Sequence, residues 1–238
     1  MSKLYFRYGA MNSGKSTALL QAAYNYEERG QQVLLAKPQI DTKGDSAIVS
    51  RLGVTRPVDF TVSPVEDIYE KFLAESARVR EQTGLPVSCL LVDEAQFLSE
   101  AQVDDLLRIA ILEGVPVLAY GIRTDFQTVA FPGSRRLLEI SHSLEELKTI
   151  CRCGRKAVFN ARKIGDRYIF DGDQVAIDTS SGLSAGTSSG LSASGAPAVT
   201  YESLCGACYL EESNGVLNNG YRPKAEFSYG SAPDADFA

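Results

Sequence analysis

The chain has 238 residues, 44% hydrophobic and 23% charged, with a formal net charge of −6. That allows one large domain, or a domain of about 150 residues with a smaller appendage, and it excludes wholesale disorder. The acidic balance argues against a chain built chiefly to hold a nucleic-acid backbone or an anionic membrane. No apolar run approaches the roughly 18–20 residues of a spanning helix, and the first residues lack a secretory plan. The expectation is a cytoplasmic protein with neither membrane nor nucleic-acid partners.

In chain order, residues 3–8 read as a strand, followed at once by a Gly-rich turn and a helix over 15–29. Ala18, Leu19, Ala22, Ala23 and Tyr26 fall at helical spacing, and Gly30 stands where a helix ends. Residues 33–37 predict a buried strand. Ser63, Pro64 and Glu66 predict a capped helix over 64–82. Residues 87–92 are an apolar strand ending in Asp93-Glu94. Ser99 and Gln102 form a second capping box, opening a helix to about 113, and 115–120 and 137–142 read as two more strands. Short apolar strands alternating with helices imply right-handed crossovers. The fold class is therefore α/β, with a mostly parallel sheet covered by helices on both faces.

Beyond about 150 the pattern breaks into strand-like pieces at 157–162, 168–170 and 174–177. Residues 179–197 are a Ser/Gly-rich tract in which Ser180-Ser181-Gly182-Leu183-Ser184-Ala185 recurs from Ser188 to Ala193. The division that follows is an α/β domain over 1–145, a small cysteine-pinned domain over 146–210, and a tail over 211–238 that reads as poorly ordered.

Gly9-Ala10-Met11-Asn12-Ser13-Gly14-Lys15-Ser16 fits G-x-x-x-x-G-K-[ST] without mismatch, between a predicted strand and helix. In such a loop, backbone N–H groups curl around an anion and the helix N-terminus adds positive potential. Lys15 would reach the β- and γ-phosphates, and the Ser16 hydroxyl would take a Mg²⁺ position. Asp93, at the end of a buried strand, supplies the metal carboxylate; Glu94 can then face the cleft as a general base, or be a helix-start or solvated acid. The chain is expected to bind ATP with Mg²⁺. Thr42-Lys43-Gly44-Asp45 has the letters of a guanine-reading motif but precedes Asp93, in the wrong half of the sheet.

Cys151-x-Cys153-Gly154 and Cys205-Gly206-x-Cys208 form two close pairs, a Cys₄ pattern for structural Zn²⁺ in a reducing compartment. Gly154 and Gly206 are read as relieving the knuckle turns. Cys89 lies inside an apolar strand and reads as a core residue. His142, the only histidine, reads as structural.

Taken together, Gly9–Thr17, Asp93-Glu94-Ala95-Gln96-Phe97, Tyr120-Gly121-Ile122-Arg123-Thr124-Asp125-Phe126 and the cysteine pairs with Tyr201 resemble the cytosolic-type, zinc-containing thymidine kinases, in their bacterial branch. The resemblance runs from about residue 3 to 209. It implies a RecA-like P-loop core with a zinc-binding lasso or lid. The implied reaction transfers the ATP γ-phosphoryl group to the 5′-hydroxyl of thymidine or deoxyuridine, in a homotetramer. Glu94 would be the base. ATP would lie against Gly9–Thr17 and Asp93–Gln96. Met11, Phe97, Ile122 and Phe126 would line the nucleoside pocket, Arg162 would lie near the phosphates, and Tyr201 would belong to the lasso. Asp41, Lys43 and Arg51 fall in a family segment after the second strand, with Lys43 where Arg is familiar. Arg123 reads equally as a cleft cation or a loop ion-pair partner.

The alternatives are a kinase for another deoxynucleoside and a zinc-ribbon, nucleic-acid-associated P-loop ATPase. The acidic balance and the lack of a basic patch near the cysteines argue against the second. The Ser/Gly tract falls within the lasso, where Asp178 stands in place of an expected glycine. Closure entropy grows slowly with loop length, so folding is expected to tolerate the tract. Closing a longer lid is expected to raise the nucleoside KM.

Overall fold

β-branched and aliphatic side chains alternate between the two faces of the central strands, so each strand feeds two separate cores. The computed structural model describes residues 1–39, 47–50, 53–172 and 199–217. Within them the chain forms β1 (Leu4–Tyr8), α1 (Lys15–Glu27), β2 (Gln32–Pro38), a short hairpin of β3 (Ala47–Val49) and β4 (Thr55–Pro57), and β5 (Phe60–Val62). Next come α2 (Ile68–Thr83), β6 (Val87–Val92), a 3-10 turn at Ala95–Phe97, α3 (Glu100–Leu112), β7 (Val117–Gly121), α4 (Pro132–Ile140) and β8 (Ser143–Glu146).

Six of these strands make one sheet in the order β5-β2-β6-β7-β1-β8, and every pairing in it is parallel. Leu34, Leu90, Val92, Val117 and Ala119 point to one face, where Ile68 and Phe72 of α2, Leu106 and Ile109 of α3, and Leu137 of α4 cover them. Leu35, Cys89, Leu91, Leu118 and Tyr120 point to the other, under Leu19 and Ala23 of α1. The expected α/β fold with helices on both faces is what forms, and Cys89 is a core residue as read.

Two elements differ from the sequence reading. Residues 137–142 are not a strand: Pro132 opens α4, and Gly133, Ser134 and Leu137 bury one helical face. A run of apolar letters is shared by buried strands and helix faces, and Pro132 at the first turn decides between them. His142 follows that helix, and its Nδ1 accepts the Leu4 N–H at 3.1 Å, a structural role as expected. The second helix starts at Ile68 rather than 64, because Asp67 caps it by accepting from the Tyr69 and Glu70 amides. Ser63 instead ends as part of a turn that Gln102 ties down, donating to Ser63 O and Glu66 O at 2.8 and 2.9 Å. The capping box of Ser99 and Gln102 is present in full.

The second part of the chain carries β9 (Thr149–Ile150), β10 (Lys156–Ala157), β11 (Phe159–Ile164), β12 (Arg167–Ile169), β13 (Val199–Leu204) and α5 (Gly206–Glu212). β9 and β10 form a small hairpin, and β12-β11-β13 form an antiparallel sheet. In that sheet Arg162 of β11 faces Ile169 on one side and Tyr201 on the other. The predicted strand at 174–177, the Ser/Gly tract, Asp41, Lys43 and Arg51, and the tail beyond 217 lie outside the described residues.

Candidate active site

Both sequence motifs emerge at the same edge of the parallel sheet, after the carboxyl ends of β1 and β6, where α/β folds place their ligands. The loop from Gly9 to Gly14 turns through left-handed residues Asn12 and Gly14, with φ of 70° and 78°. Gly9 has no room for a side chain: an added Cβ would stand 2.5 Å from Leu147 O. Its N–H donates to Gly121 O at 3.3 Å, which moors the loop to β7. Lys15 Nζ donates to the carbonyls of Gly9 and Ala10 at 3.3 and 3.1 Å, so its ammonium sits over the loop mouth.

Asp93 is 4% exposed and lies opposite the first turn of α1, with Ser16 Oγ donating to its Oδ2 at 3.4 Å. Burial, then the neighbouring Glu94 carboxylate, push the Asp93 carboxyl well above the usual carboxylate range. A buried carboxylate beside a hydroxyl is a pair of hard oxygen donors suited to Mg²⁺.

Glu94 occupies the left-handed region, at φ 51° and ψ 36°. For a non-glycine residue this conformation is uncommon and costs about 1 kcal/mol or more. It reverses the chain directly after β6, so that adjacent carboxylates diverge: Asp93 stays by α1 while Glu94 opens the 3-10 turn. Gln96, 2% exposed, donates from Nε2 to Glu94 Oε2 and accepts the Ile122 N–H at 3.2 Å through Oε1. Gly121 makes this possible, since a Cβ there would lie 2.7 Å from Gln96 Oε1. Sequence reading placed Ala95 and Gln96 with the nucleotide. In the structure Ala95 is buried in the core, and Gln96 is the strut of Glu94.

Of the aromatic candidates, Phe97 ends the 3-10 turn and Phe126 lies in the segment after β7. Phe97 packs edge-on against Phe131, with ring centroids 5.4 Å apart. Phe131 was not singled out from sequence, because a lone Phe before a proline carries no signal there. Phe126 is buried under Arg162, whose Cζ is 3.6 Å from the ring centroid. Arg162 Nε also donates to the Tyr201 hydroxyl at 3.2 Å. Arg162 therefore sits with Phe126 and Tyr201. Arg123 lies over the Tyr8 ring, 5.9 Å from its centroid. An open hollow of about 660 Å³ is lined by Pro64, Gln96, Phe97, Leu98, Phe131 and Pro132 among others.

The part of the chain that follows β8 closes against this edge at several points. Tyr209 OH donates to Phe126 O at 2.6 Å, and Gln127 Nε2 donates to Phe170 O at 3.0 Å. Met11 meets it through its backbone: the Met11 N–H donates to Asn160 Oδ1 at 2.7 Å, and Ser203 Oγ donates to Met11 O. Neither Asn160 nor Ser203 was identifiable from sequence, where both are ordinary polar residues in short strands.

The Sγ atoms of Cys151, Cys153, Cys205 and Cys208 lie within 4.8 Å of one another. Tetrahedral Zn–S bonds of about 2.3 Å require sulfurs at roughly this spacing. The Cys208 backbone N–H, above all, holds the Cys205 thiol below its ordinary value, whereas the Cys153 and Cys205 side chains push Cys208 up. Four sulfurs so clustered are a donor set that fits Zn²⁺. Gly154 makes the left-handed turn of one knuckle at φ 83°. Gly206 instead opens α5 as an ordinary helical residue, so the turn relief read for it is not needed.

A family model described as thymidine kinase matches residues 2–209. The chain belongs to the thymidine kinase family. Among thymidine kinases, that of Ruegeria pomeroyi is 47% identical over 180 residues, covering 74% of this chain and 87% of that protein. The thymidine kinase of Legionella pneumophila strain Paris is 46% identical over 179 residues, covering 74% and 83%. That of enterobacteria phage T4 is 44% identical over 179 residues, covering 74% and 89%. The matched span takes in the P-loop, Asp93-Glu94 and all four clustered cysteines.

Proposed function

We propose that the chain is an ATP-dependent thymidine kinase in which Glu94 removes the proton of the nucleoside 5′-hydroxyl. The oxygen so freed attacks the γ-phosphorus, the bond to the β-phosphate oxygen breaks, and ADP and the nucleoside monophosphate leave. Phosphoryl transfer asks mainly for positioning and charge neutralisation. Lys15 and the amides of Gly9–Thr17 would meet the phosphates. Ser16 and Asp93 would hold Mg²⁺, which screens phosphate charge when bound. Met11, Phe97, Ile122 and Phe126 would line the base and sugar, with Tyr201 in the closing lasso. Arg162, packed on Phe126 and Tyr201, fits the nucleoside side of the cleft better than the phosphate side.

Deoxyuridine as second substrate, a homotetramer, a cytoplasmic location and a structural Zn²⁺ on Cys151, Cys153, Cys205 and Cys208 complete the reading. So does the division into a nucleotide domain over 1–145, a zinc-binding lasso domain over 146–210 and a tail over 211–238. α5 runs to Glu212, two residues past the second boundary.

The observation that carries the mechanism is the left-handed turn at Glu94, which separates two consecutive carboxylates and leaves one by α1 and the other on the Gln96 strut. The test is ATP-dependent phosphorylation of a panel of deoxynucleosides by the unaltered chain and by Glu94→Gln. Thymidine turnover lost in Glu94→Gln supports the assignment; turnover near that of the unaltered chain removes it.

A further inference from the structure

Phosphate-binding loops hold their shape through their own turns and the helix that follows. Here the loop has a further support, from the antiparallel sheet. Asn160 of β11 and Ser203 of β13 are direct cross-strand partners in the antiparallel sheet. Between them they take both backbone polar groups of one loop residue: Asn160 Oδ1 accepts the Met11 N–H at 2.7 Å, and Ser203 Oγ donates to Met11 O. Thr149 adds a longer contact, its Oγ1 donating to Asn12 O at 3.5 Å. Asn160 and Ser203 are 3% and 7% exposed, so water is a poor substitute for either.

The same asparagine reaches further. Its Nδ2 donates to Thr124 O at 3.3 Å, in the segment that carries Ile122 and Phe126. The two bonds fix the orientation of the amide, since one partner is a donor and the other an acceptor. One buried side chain thus links the phosphate loop, the nucleoside-lining segment and β11. Ser203 stands two residues from Tyr201 on β13, on the strand that leads out of the lasso.

We propose that Asn160 and Ser203 are positioning residues that couple the nucleoside and ATP sites, by clamping Met11 to the sheet carrying Tyr201. The inference rests on the thymidine kinase reading above. A nucleoside held against Tyr201 and the 122–126 segment would bear, through Ser203 and Asn160, on Met11. The peptide groups flanking Met11 are thereby fixed in the orientation the loop needs. A coupling of this kind is reciprocal and typically amounts to about fivefold or more in affinity.

The experiment measures the dissociation constant of the Mg²⁺ complex of a non-hydrolysable ATP analogue by calorimetry, with and without saturating thymidine. It uses the full chain, after thymidine phosphorylation has been established for it. Failure to phosphorylate thymidine counts against the function, and is thereby separated from failure of the clamp. The unaltered chain is expected to bind the analogue about fivefold or more tightly when thymidine is present. Ser203→Ala and Asn160→Ala should bring that ratio close to one, while Ser203→Thr, which keeps a hydroxyl, should restore most of it. Melting curves and zinc content identify any variant that has not folded. Asn160→Leu, close in size and without either amide partner, replaces Asn160→Ala if the latter fails to fold. An unaltered chain showing no thymidine dependence, or a folded Ser203→Ala that keeps the full ratio, overturns the proposal.

Discussion

Gln96 holds the Glu94 carboxylate from one end of its side chain while its other end accepts the Ile122 amide at 3.2 Å. The residue assigned as the base is therefore oriented from Ile122, just past the end of the neighbouring strand β7, rather than from its own strand. A half-buried carboxylate without such a partner would sample more than one rotamer, and catalysis by a general base depends on its placement. Gln96→Ala is expected to lower kcat by about 10- to 100-fold with little change in the KM for ATP, measured by steady-state kinetics. Glu94→Gln is expected to cost about 10²–10⁴-fold in kcat.

Gly133 bears on the same turn from behind. A Cβ there would stand 2.6 Å from Ala95 O and 2.7 Å from Leu98 O, both backbone atoms that cannot swing aside. Gly133→Ala should push α4 off the turn and destabilise the fold by about 1–3 kcal/mol, read from urea melts. The displacement should also reach Glu94, so kcat should fall even at temperatures where the variant is fully folded.

Removing the metal tests the second part of the chain. Structural zinc contributes folding free energy directly, because the unfolded chain has no formed site. Purified protein should contain about one zinc per chain, measured by atomic emission. Strong chelation, or Cys205→Ser, should lower the melting temperature and raise the thymidine KM. The second effect follows because α5, which carries Cys208, also carries Tyr209 and its bond to Phe126 O.

One acid effect has a defined sign. The hydrogen bond from Lys71, then the Ser63 backbone N–H, hold the Glu66 carboxyl down to about 2, against an ordinary 4.5. A group lowered in the folded state stabilises above its unfolded value and loses that contribution as pH falls through the folded one. Glu66 is on the surface, so the gain is limited to about 1 kcal/mol or less. Glu66→Gln should be slightly less stable than the unaltered chain at pH 6 to 7. That gap should shrink between pH 4.5 and 2, followed by denaturant midpoints.

What could be read from the sequence was what is local in it. The phosphate loop, Asp93 at a strand end, the Ser99–Gln102 cap and the cysteine pairs each depend on residues close in the chain, whose spacing records the geometry. The strand misread at 137–142 marks the first limit, since Leu137, Leu138 and Ile140 suit a buried strand as well as one face of α4. The second limit is distance. Gln96 reaches Ile122, and Asn160 and Ser203 reach Met11, only after β6, β7, β11 and β13 have paired. Nothing in the spacing of these residues announces contacts made across 26, 149 and 192 positions.

The antiparallel sheet of β12, β11 and β13 has a corollary for chain length. Ile169 and Tyr201 flank the same residue, Arg162, so the chain departs and returns at two fixed points separated by only two strand spacings, about 10 Å. Whatever lies between them can lengthen or shorten without shifting a single cross-strand pair. Tyr201, Ser203 and Cys205 keep their places however many residues precede them. A change of length at this junction need not move the site, and the low-complexity repeat of this chain falls inside it.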